Sequence, residues 1–423
     1  MSAFDKIIGY TDVKTELIRF CDVLKNPEIY KSLGVTMPRG ILLEGKPGIG
    51  KTMMAKCFIE ESGVKSYTLR KDKPDGDFVN EIKNTFEKAK SDSCAIIFLD
   101  DMDKYANEDD THKDAEEYVT VQACIDDCKG LDVFVLATVN EKFMLPDSLT
   151  RPGRFDKVIE MRYTEGEEAK KIVAHLIGQK QVIGDVDIEE ISRVMEGHSC
   201  AELETVINEA GIYAGYDRRT KIEQRDILKA CMRMIFDAPE AMEAVDEEFL
   251  RNTAVHEAGH AVVAEILNPG SVSLVSVCHY TGSTMGVTSV HRGNEYKYYK
   301  KSQEEDVLRI LGGKAATELV YGSADIGCRS DLRKAFGIVE RFVDDYCAYG
   351  FDAYEGRYNH SELSSENKDR YIAKEMDKYY RESKTILTQN RELLDLIVEA
   401  LMEKKTIMYK DIALLREKAA LLG

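Results

Sequence analysis

Two histidines separated by three residues stand in the stretch VHEAGHAVV. On a helix, His256 and His260 project from one face, so both imidazoles reach a single tetrahedral metal ion. Glu257 lies between them and is placed to take a proton from metal-bound water, whose pKa zinc lowers toward neutrality. The spacing therefore predicts a zinc site with a general base beside it, which is suited to hydrolytic chemistry.

A tetrahedral zinc site of this kind needs a third protein ligand. The long metzincin motif places glycine at position 263 and histidine at 266, but this sequence has Val263 and Ile266, which excludes that class. Candidate ligands lie downstream at Glu318, Asp325 and Asp331. The residues alone leave these three open.

A second motif, GKPGIGKT, fits the pattern GxxxxGK[ST]. Its glycines allow backbone amides to approach phosphates closely, in conformations that are costly for other residues. The lysine is expected to reach the β- and γ-phosphates, and the threonine hydroxyl to bind Mg²⁺. The predicted nucleotide contacts are Gly45, Pro47, Gly48, Ile49, Gly50, Lys51 and Thr52.

Polar residues follow two apolar runs downstream of this loop. Asp100 and Asp101 end AIIFLDD, and Asn140 ends VFVLATVN. We expect Asp100 to hold Mg²⁺ through water, Asp101 to polarise the attacking water, and Asn140 to orient that water. Taken alone, the aspartate pair is also compatible with simple helix capping.

Two arginines stand three residues apart in LTRPGRFD. Arg151 and Arg154 are separated by Pro152, which stiffens the segment, and by Gly153, and they are suited to binding phosphates with fixed geometry. An isolated pair of this kind is also compatible with surface arginines that cap neighbouring carboxylates.

Apolar periodicity indicates the elements that position these residues. A helix is predicted over 11–24, then strands that alternate with helices in a doubly wound α/β core. Amphipathic helices follow, then an acidic linker and a largely helical second domain. In that domain we expect one hairpin-like pair of strands at 273–279 and 284–290, and long helices in the last sixty residues. The predicted divisions are 1–164, 165–236, 237–248 and 249–423.

Composition bounds the function. The 423 residues carry a net charge of −18, which argues against nucleic acid as the main partner. No signal peptide or long apolar span is present in the sequence, so we expect membrane contact only through a partner. The ten cysteines occur singly, which favours free thiols in a reducing cytoplasm.

The motifs together resemble a known family. The AAA+ ATPase module is resembled by five stretches: GYTDVKTEL, PRGILLEGKPGIGKT, IIFLDD, LATVN and RPGRFD. Three further stretches narrow the resemblance to FtsH-type ATP-dependent zinc proteases: TAVHEAGHAVV, GGKAATELVYG and SDLRKA. It implies an α/β ATPase core with a helical lid, followed by a mostly α-helical zinc peptidase domain acting on proteins or peptides with Zn²⁺, ATP and Mg²⁺.

The same resemblance implies roles for particular residues. It selects Asp331 as the third zinc ligand and assigns Glu318 to support of the site. It also implies a homohexamer in which Arg151 and Arg154 act in trans on the nucleotide of the adjacent subunit.

Three departures from the family pattern are visible. Relatives have an amino-terminal membrane anchor, whereas this sequence begins almost directly at the ATPase module, so we expect either a naturally soluble form or one that reaches membranes through a partner. Asp101 replaces the usual glutamate, so we expect slow ATP hydrolysis because the carboxylate is one methylene shorter. The charged stretch RKDKPDGD stands where the family has an aromatic loop that grips substrate. We assign Tyr67 to the preceding strand, and Phe78 either to the next helix or to a displaced substrate-gripping role.

The leading hypothesis is an ATP-dependent zinc endopeptidase. The alternative is an ATP-switched oligomeric assembly with limited, non-processive peptidase activity or a non-degradative role, which the charged loop favours.

Overall fold

The computed structural model describes residues 2–35, 38–71, 77–92, 94–106, 115–151, 153–180, 185–238, 246–278, 286–291, 299–323, 326–351, 353 and 362–422. They form two compact units, one of Met1–Gln181 with Glu196–Thr205 and the other of Val182–Met195 with Val206–Gly423. The four predicted divisions stay a prediction.

The amino-terminal half of the chain alternates strands and helices before becoming helical. In chain order its elements are α1 (Thr11–Lys25), α2 (Pro27–Ser32), β1 (Gly40–Glu44), α3 (Lys51–Ser62), β2 (Lys65–Leu69), α4 (Phe78–Lys90), β3 (Ala95–Leu99), α5 (Ala115–Asp127), β4 (Val133–Val139), β5 (Lys157–Glu160), α6 (Gly166–Gly178), α7 (Ile188–Val194), α8 (Cys200–Tyr216) and α9 (Gln224–Ile235).

The carboxy-terminal half is mostly helical. Its elements are α10 (Glu247–Leu267), β6 (Val272–Ser276), β7 (Val287–Val290), α11 (Lys300–Tyr321), α12 (Arg329–Val343), α13 (Glu362–Gln389), α14 (Arg391–Lys404), β8 (Thr406–Met408) and α15 (Tyr409–Leu422).

A five-stranded sheet forms the centre of the first unit, in the order β2-β3-β4-β1-β5 with all neighbours parallel. The continuous apolar runs of β3 and β4 are buried along their whole length, as expected for strands covered on both faces. Along β1, Ile41 and Leu43 pack with α1 and α3, whereas Leu42 packs with α4 and α5. The predicted doubly wound α/β core is confirmed.

The sheet brings the polar ends of its strands together. Because β1, β3 and β4 are adjacent and parallel, their carboxyl ends lie at one edge. The phosphate loop follows β1, Asp100 follows β3, and Asn140 follows β4. This edge is where open α/β sheets bind ligands.

In the second unit, α10 and α11 cross closely because two glycines meet there. A Cβ on Gly259 would lie 2.4 Å from the carbonyl oxygen of Gly312, and one on Gly312 would lie 2.6 Å from the carbonyl oxygen of Gly259. The absence of both side chains lets the backbones touch. This crossing places the central turns of the two helices side by side.

The predicted hairpin pair is present but incomplete. Strands β6 and β7 pair antiparallel, while residues 279–285 lie outside the described residues. A third strand, β8, pairs antiparallel with the other edge of β6. The prediction of one hairpin-like pair as the β structure of this domain therefore missed β8, in which Ile407 and Met408 are buried.

Across the described part of the chain, no helix combines the length and the apolar character that crossing a membrane requires. None of the ten cysteines forms a disulfide, and six of them are buried.

Candidate active sites

Three predicted metal ligands come together in the second unit. His256 and His260 lie on successive turns of α10, and Asp331 lies in the first turn of α12. The Nε2 atom of His256 is 3.1 Å from that of His260 and 3.1 Å from Oδ2 of Asp331; His260 Nε2 is 3.3 Å from the same oxygen. Donors about 2.0–2.1 Å from a tetrahedral zinc lie about 3.3–3.4 Å apart, so this set fits the ion.

The environment prepares two of these groups for metal binding. His260 Nδ1 lies 2.8 Å from the carbonyl oxygen of Arg309, and a proton donated there leaves the Nε2 lone pair available. Burial raises the pKa of the Asp331 carboxyl, but the contacts of this carboxyl with the imidazoles of His256 and His260 outweigh burial and hold that pKa below its ordinary value. The carboxyl is therefore kept in its ionised, metal-binding form.

Gly313 of α11 leaves the space between the imidazoles open. A Cβ at this position would lie 2.6 Å from His256 Nε2 and 2.7 Å from His260 Nε2. The missing side chain therefore makes a cradle at the point on which the donors converge. Sequence reasoning missed this glycine, although its place beside Gly312 in LGGKAATEL was a signal of close helix packing.

Glu257 is seated against β7 by two residues that sequence reasoning also missed. The Thr288 hydroxyl donates to the Glu257 carboxylate at 2.7 Å. A Cβ on Gly286 would lie 2.5 Å from Cγ and 2.7 Å from Oε1 of Glu257. Positions two apart on an extended strand face the same side, so the GVT spacing was an available signal.

The other two candidate ligands have different outcomes. Glu318 accepts hydrogen bonds from Lys314 at 2.9 Å, from Lys384 at 3.1 Å and from Tyr380. These contacts join α11 to α13 and lower the pKa of Glu318 to about 2, with the Tyr380 hydrogen bond as the largest cause. Its support of the zinc site stays a prediction, and Asp325 lies outside the described residues.

The phosphate loop has the backbone that its glycines predict. Gly45, Gly48 and Gly50 have φ values of 157°, 78° and 97°. A Cβ on Gly45 would lie 2.3 Å from the Met161 carbonyl oxygen, so the loop excludes a side chain there. The remaining predicted loop contacts, Pro47 and Ile49, lie between these glycines, and the Ile49 carbonyl accepts from the Tyr10 hydroxyl at 3.0 Å.

Lys51 lies buried at the start of α3, against the loop. Its Nζ donates to the carbonyl oxygens of Gly45 and Lys46, at 2.6 and 3.0 Å, and to Asn140 Oδ1 at 2.9 Å. Burial lowers the pKa of this ammonium group, an effect that the neighbouring aspartates oppose. The Lys51 ammonium therefore donates hydrogen bonds to loop carbonyl oxygens, and phosphate oxygens can replace these acceptors.

Thr52 and Asp100 are in direct hydrogen-bonding contact. The Thr52 hydroxyl donates to Asp100 Oδ1 at 2.9 Å, and Thr138 of β4 donates to the same oxygen at 2.8 Å. Asp100 is almost fully buried at the end of β3. A hydroxyl and a carboxylate so placed are oxygen ligands of the kind Mg²⁺ prefers.

The two aspartates that follow Asp100, Asp101 and Asp103, have different hydrogen-bonding partners. Asp101 has a left-handed backbone with φ of 51°, and its Oδ2 accepts from Lys104 at 2.7 Å. Asn140 Nδ2 donates to Asp103 Oδ2 at 2.8 Å. Sequence reasoning missed Asp103, whose signal was the third aspartate in LDDMD.

The two predicted trans-acting arginines differ in their environments. Arg151 is exposed. Arg154 binds Asp126 of the same chain in bidentate fashion, at 2.9 and 2.7 Å, and also donates to the Ser148 carbonyl oxygen. Pro152 lies outside the described residues.

The expected gripping region is described only at its edges. Tyr67 belongs to β2, as predicted, and its hydroxyl donates to Asp92 at 2.7 Å. Phe78 begins α4, is 7 % exposed and packs edge-on against Tyr105 with ring centroids 5.0 Å apart. Burial argues against a displaced gripping role for Phe78; residues 72–76 of the charged stretch lie outside the described residues.

Three families match successive parts of the chain. The ATPase family associated with various cellular activities (AAA) matches residues 41–163, the AAA+ lid domain matches 185–229, and peptidase family M41 matches 243–415. The first match contains the phosphate loop with Asp100 and Asn140, and the third contains the convergent histidines.

Curated relatives match almost the whole chain. The ATP-dependent zinc metalloprotease FtsH of Lachnoclostridium phytofermentans is 30% identical over 96% of this chain and 73% of its own length. The protein of the same name from Ureaplasma parvum is 30% identical over 96% of this chain and 59% of its own, and FtsH 3 of Petrotoga mobilis is 27% identical over 99% and 69%. The chain thus spans between 59% and 73% of these relatives' lengths.

Proposed function

Because the chain belongs to the FtsH family of ATP-dependent zinc metalloproteases, we propose that it cleaves peptide bonds around Glu257 and hydrolyses ATP at the phosphate loop. It carries an AAA ATPase domain, its lid and an M41 peptidase domain. We include in this proposal the predicted domain boundaries after residues 164, 236 and 248. The observation that carries the proposal is the convergence of His256, His260 and Asp331 at 3.1–3.3 Å beside a buried glutamate.

The peptidase site assigns one task to each side chain. The two histidines and Asp331 would hold a zinc ion, which would supply Lewis acidity that lowers the pKa of water and polarises the peptide carbonyl. Glu257 takes the proton of the attacking water and returns it to the departing amide nitrogen. Thr288 holds the Glu257 carboxylate in place for both transfers.

The nucleotide site works through positioning. Thr52 and Asp100 would hold a magnesium ion, which would supply positive charge to the phosphate oxygens. Lys51 moves from the loop carbonyls to the β- and γ-phosphates, Asp101 polarises the attacking water, and Asn140 orients it. The contact of Asp101 with Lys104 supports the expectation of slow turnover, because a carboxylate held by Lys104 is directed away from the attacking water.

We further propose a homohexamer in the cytoplasm that acts on proteins or loosely folded peptides. Arg151 and Arg154 reach the nucleotide of the adjacent subunit, and Arg154 must leave Asp126 to do so. Sedimentation with and without ATP tests the assembly, and cell fractionation tests the location.

The decisive test is degradation of a casein-type substrate with ATP, with a non-hydrolysable analogue, or without nucleotide. We expect cleavage that requires zinc and ATP hydrolysis and that disappears in Glu257→Gln, while ATP turnover in that variant is retained. Cleavage that needs the nucleotide but not its hydrolysis would favour the non-processive assembly instead. Full cleavage by Glu257→Gln would contradict the proposed base.

A further inference from the structure

Asn140 lies between two side chains whose hydrogen-bonding roles are fixed by their chemistry. The Lys51 ammonium can only donate, and it lies 2.9 Å from one end of the Asn140 amide. The Asp103 carboxylate accepts, and its Oδ2 lies 2.8 Å from the nitrogen at the other end. The amide therefore has one allowed orientation, with its oxygen toward the phosphate loop and its nitrogen toward Asp103.

Asp103 is held on a rigid support. It lies in the short turn Met102–Lys104 that follows β3, and the side chains of Met102 and Tyr105 on either side are fully buried. Backbone hydrogen bonds from Tyr105 and Ala106 to the Met102 carbonyl close this turn. The position of the carboxylate is thus set by the core of the α/β domain.

We propose that Asp103 is a positioning residue for ATP hydrolysis, which keeps the carbonyl oxygen of Asn140 directed at the nucleotide. When Lys51 turns to the phosphates it releases this oxygen, whereas Asp103 retains the amide nitrogen. The oxygen then accepts an O–H of the attacking water and directs the water lone pair at the γ-phosphorus. This inference rests on the proposed ATPase function of the site.

The contacts of Asp101 make this orientation important. Its carboxylate is one methylene shorter than the family's glutamate and is paired with Lys104 at 2.7 Å. Water orientation therefore depends more heavily on Asn140. A flipped amide would present N–H donors to the water and turn its lone pair away from phosphorus.

A simpler role for Asp103 is charge compensation of buried Lys51, since Asp101, Asp103 and Asp100 all favour the charged lysine. The two roles differ in what they change. Loss of charge compensation alters nucleotide affinity through Lys51 and does not depend on Asn140. Loss of amide orientation alters turnover and depends wholly on Asn140.

The test is a double-mutant cycle of Asp103→Asn and Asn140→Ala in the full chain. Steady-state ATP turnover is measured at saturating Mg-ATP, and affinity is measured by titration with a fluorescent ATP analogue. We expect Asp103→Asn to lower kcat about tenfold or more, because its amide accepts either orientation of Asn140, with Kd changed less than about twofold. In the Asn140→Ala background the same substitution should change kcat less than about twofold.

Each contrary result has a distinct meaning. Unchanged kcat in Asp103→Asn, or a further large decrease in the Asn140→Ala background, overturns the positioning role. A wild-type protein that binds ATP but does not hydrolyse it overturns the proposed function instead. If circular dichroism shows that Asp103→Asn does not fold, two other variants are compared. Asp103→Glu, whose side chain only accepts hydrogen bonds, must retain more ATP turnover than Asp103→Ser, whose side chain also donates. Equal turnover in these two variants overturns the inference.

Discussion

A single methyl group at position 313 should prevent zinc binding. In Gly313→Ala the new Cβ would lie 2.6 Å from His256 Nε2 and 2.7 Å from His260 Nε2, whereas carbon atoms in ordinary contact stay about 3.5–4.0 Å apart. The imidazoles must therefore withdraw by about 0.9 Å to accept the side chain. Zinc–ligand distances tolerate changes of only about 0.2 Å, so the donors can no longer converge.

The expected loss of zinc affinity is at least about 100-fold, which corresponds to about 2.7 kcal/mol. It is measured by competition with a fluorescent zinc chelator and by metal content after dialysis. ATP turnover serves as an internal check, because the phosphate loop belongs to the other unit. We expect turnover at the wild-type rate with peptidase activity lost.

The matched control is Gly337→Ala in α12. This glycine is also helical, but a Cβ there has no atom within 4 Å. Alanine stabilises an open helix position by about 0.5–1 kcal/mol relative to glycine, so zinc binding should be unchanged and thermal stability slightly raised. Wild-type zinc affinity in Gly313→Ala would refute the reasoning, because the cradle would then not be the metal position.

Three further outcomes are expected. Gly286→Ala should lower the peptidase kcat about 100-fold at unchanged zinc content, because the new Cβ would displace Glu257. Peptide cleavage assays combined with metal analysis check this prediction. Lys51→Ala should abolish nucleotide binding in a fluorescent-analogue titration and leave zinc content intact. Glu318→Gln should lower the melting temperature at pH 7; because the folded pKa of Glu318 is depressed to about 2, the difference from wild type should narrow as pH falls from about 5 toward 2.

The sequence predicted features that depend on local pattern. Buried runs such as AIIFL indicated central parallel strands, and helical spacing placed His256 and His260 on one face. Strand β8 escaped prediction because three residues are too few to show a period and its apolar residues continue a helical stretch. Its stability comes from pairing with β6, far away in sequence.

Contacts between distant segments explain the other omissions. Gly313 and Thr288 act on residues of α10, and no pattern within their own segments shows which helix they meet. Asp103 was visible as an acidic residue, but its contact with Asn140 requires the order of strands β3 and β4 in the sheet. Chemical identity was readable from the sequence, whereas the supporting contacts required the fold.

Zinc K-edge X-ray absorption on the purified full chain tests the central claim most directly. We predict one zinc per chain with only nitrogen and oxygen donors at about 2.0–2.2 Å, and loss of that signal in Asp331→Ala. A sulfur shell at about 2.3 Å, or wild-type zinc content after the Asp331 substitution, would place the metal elsewhere and contradict the proposed site.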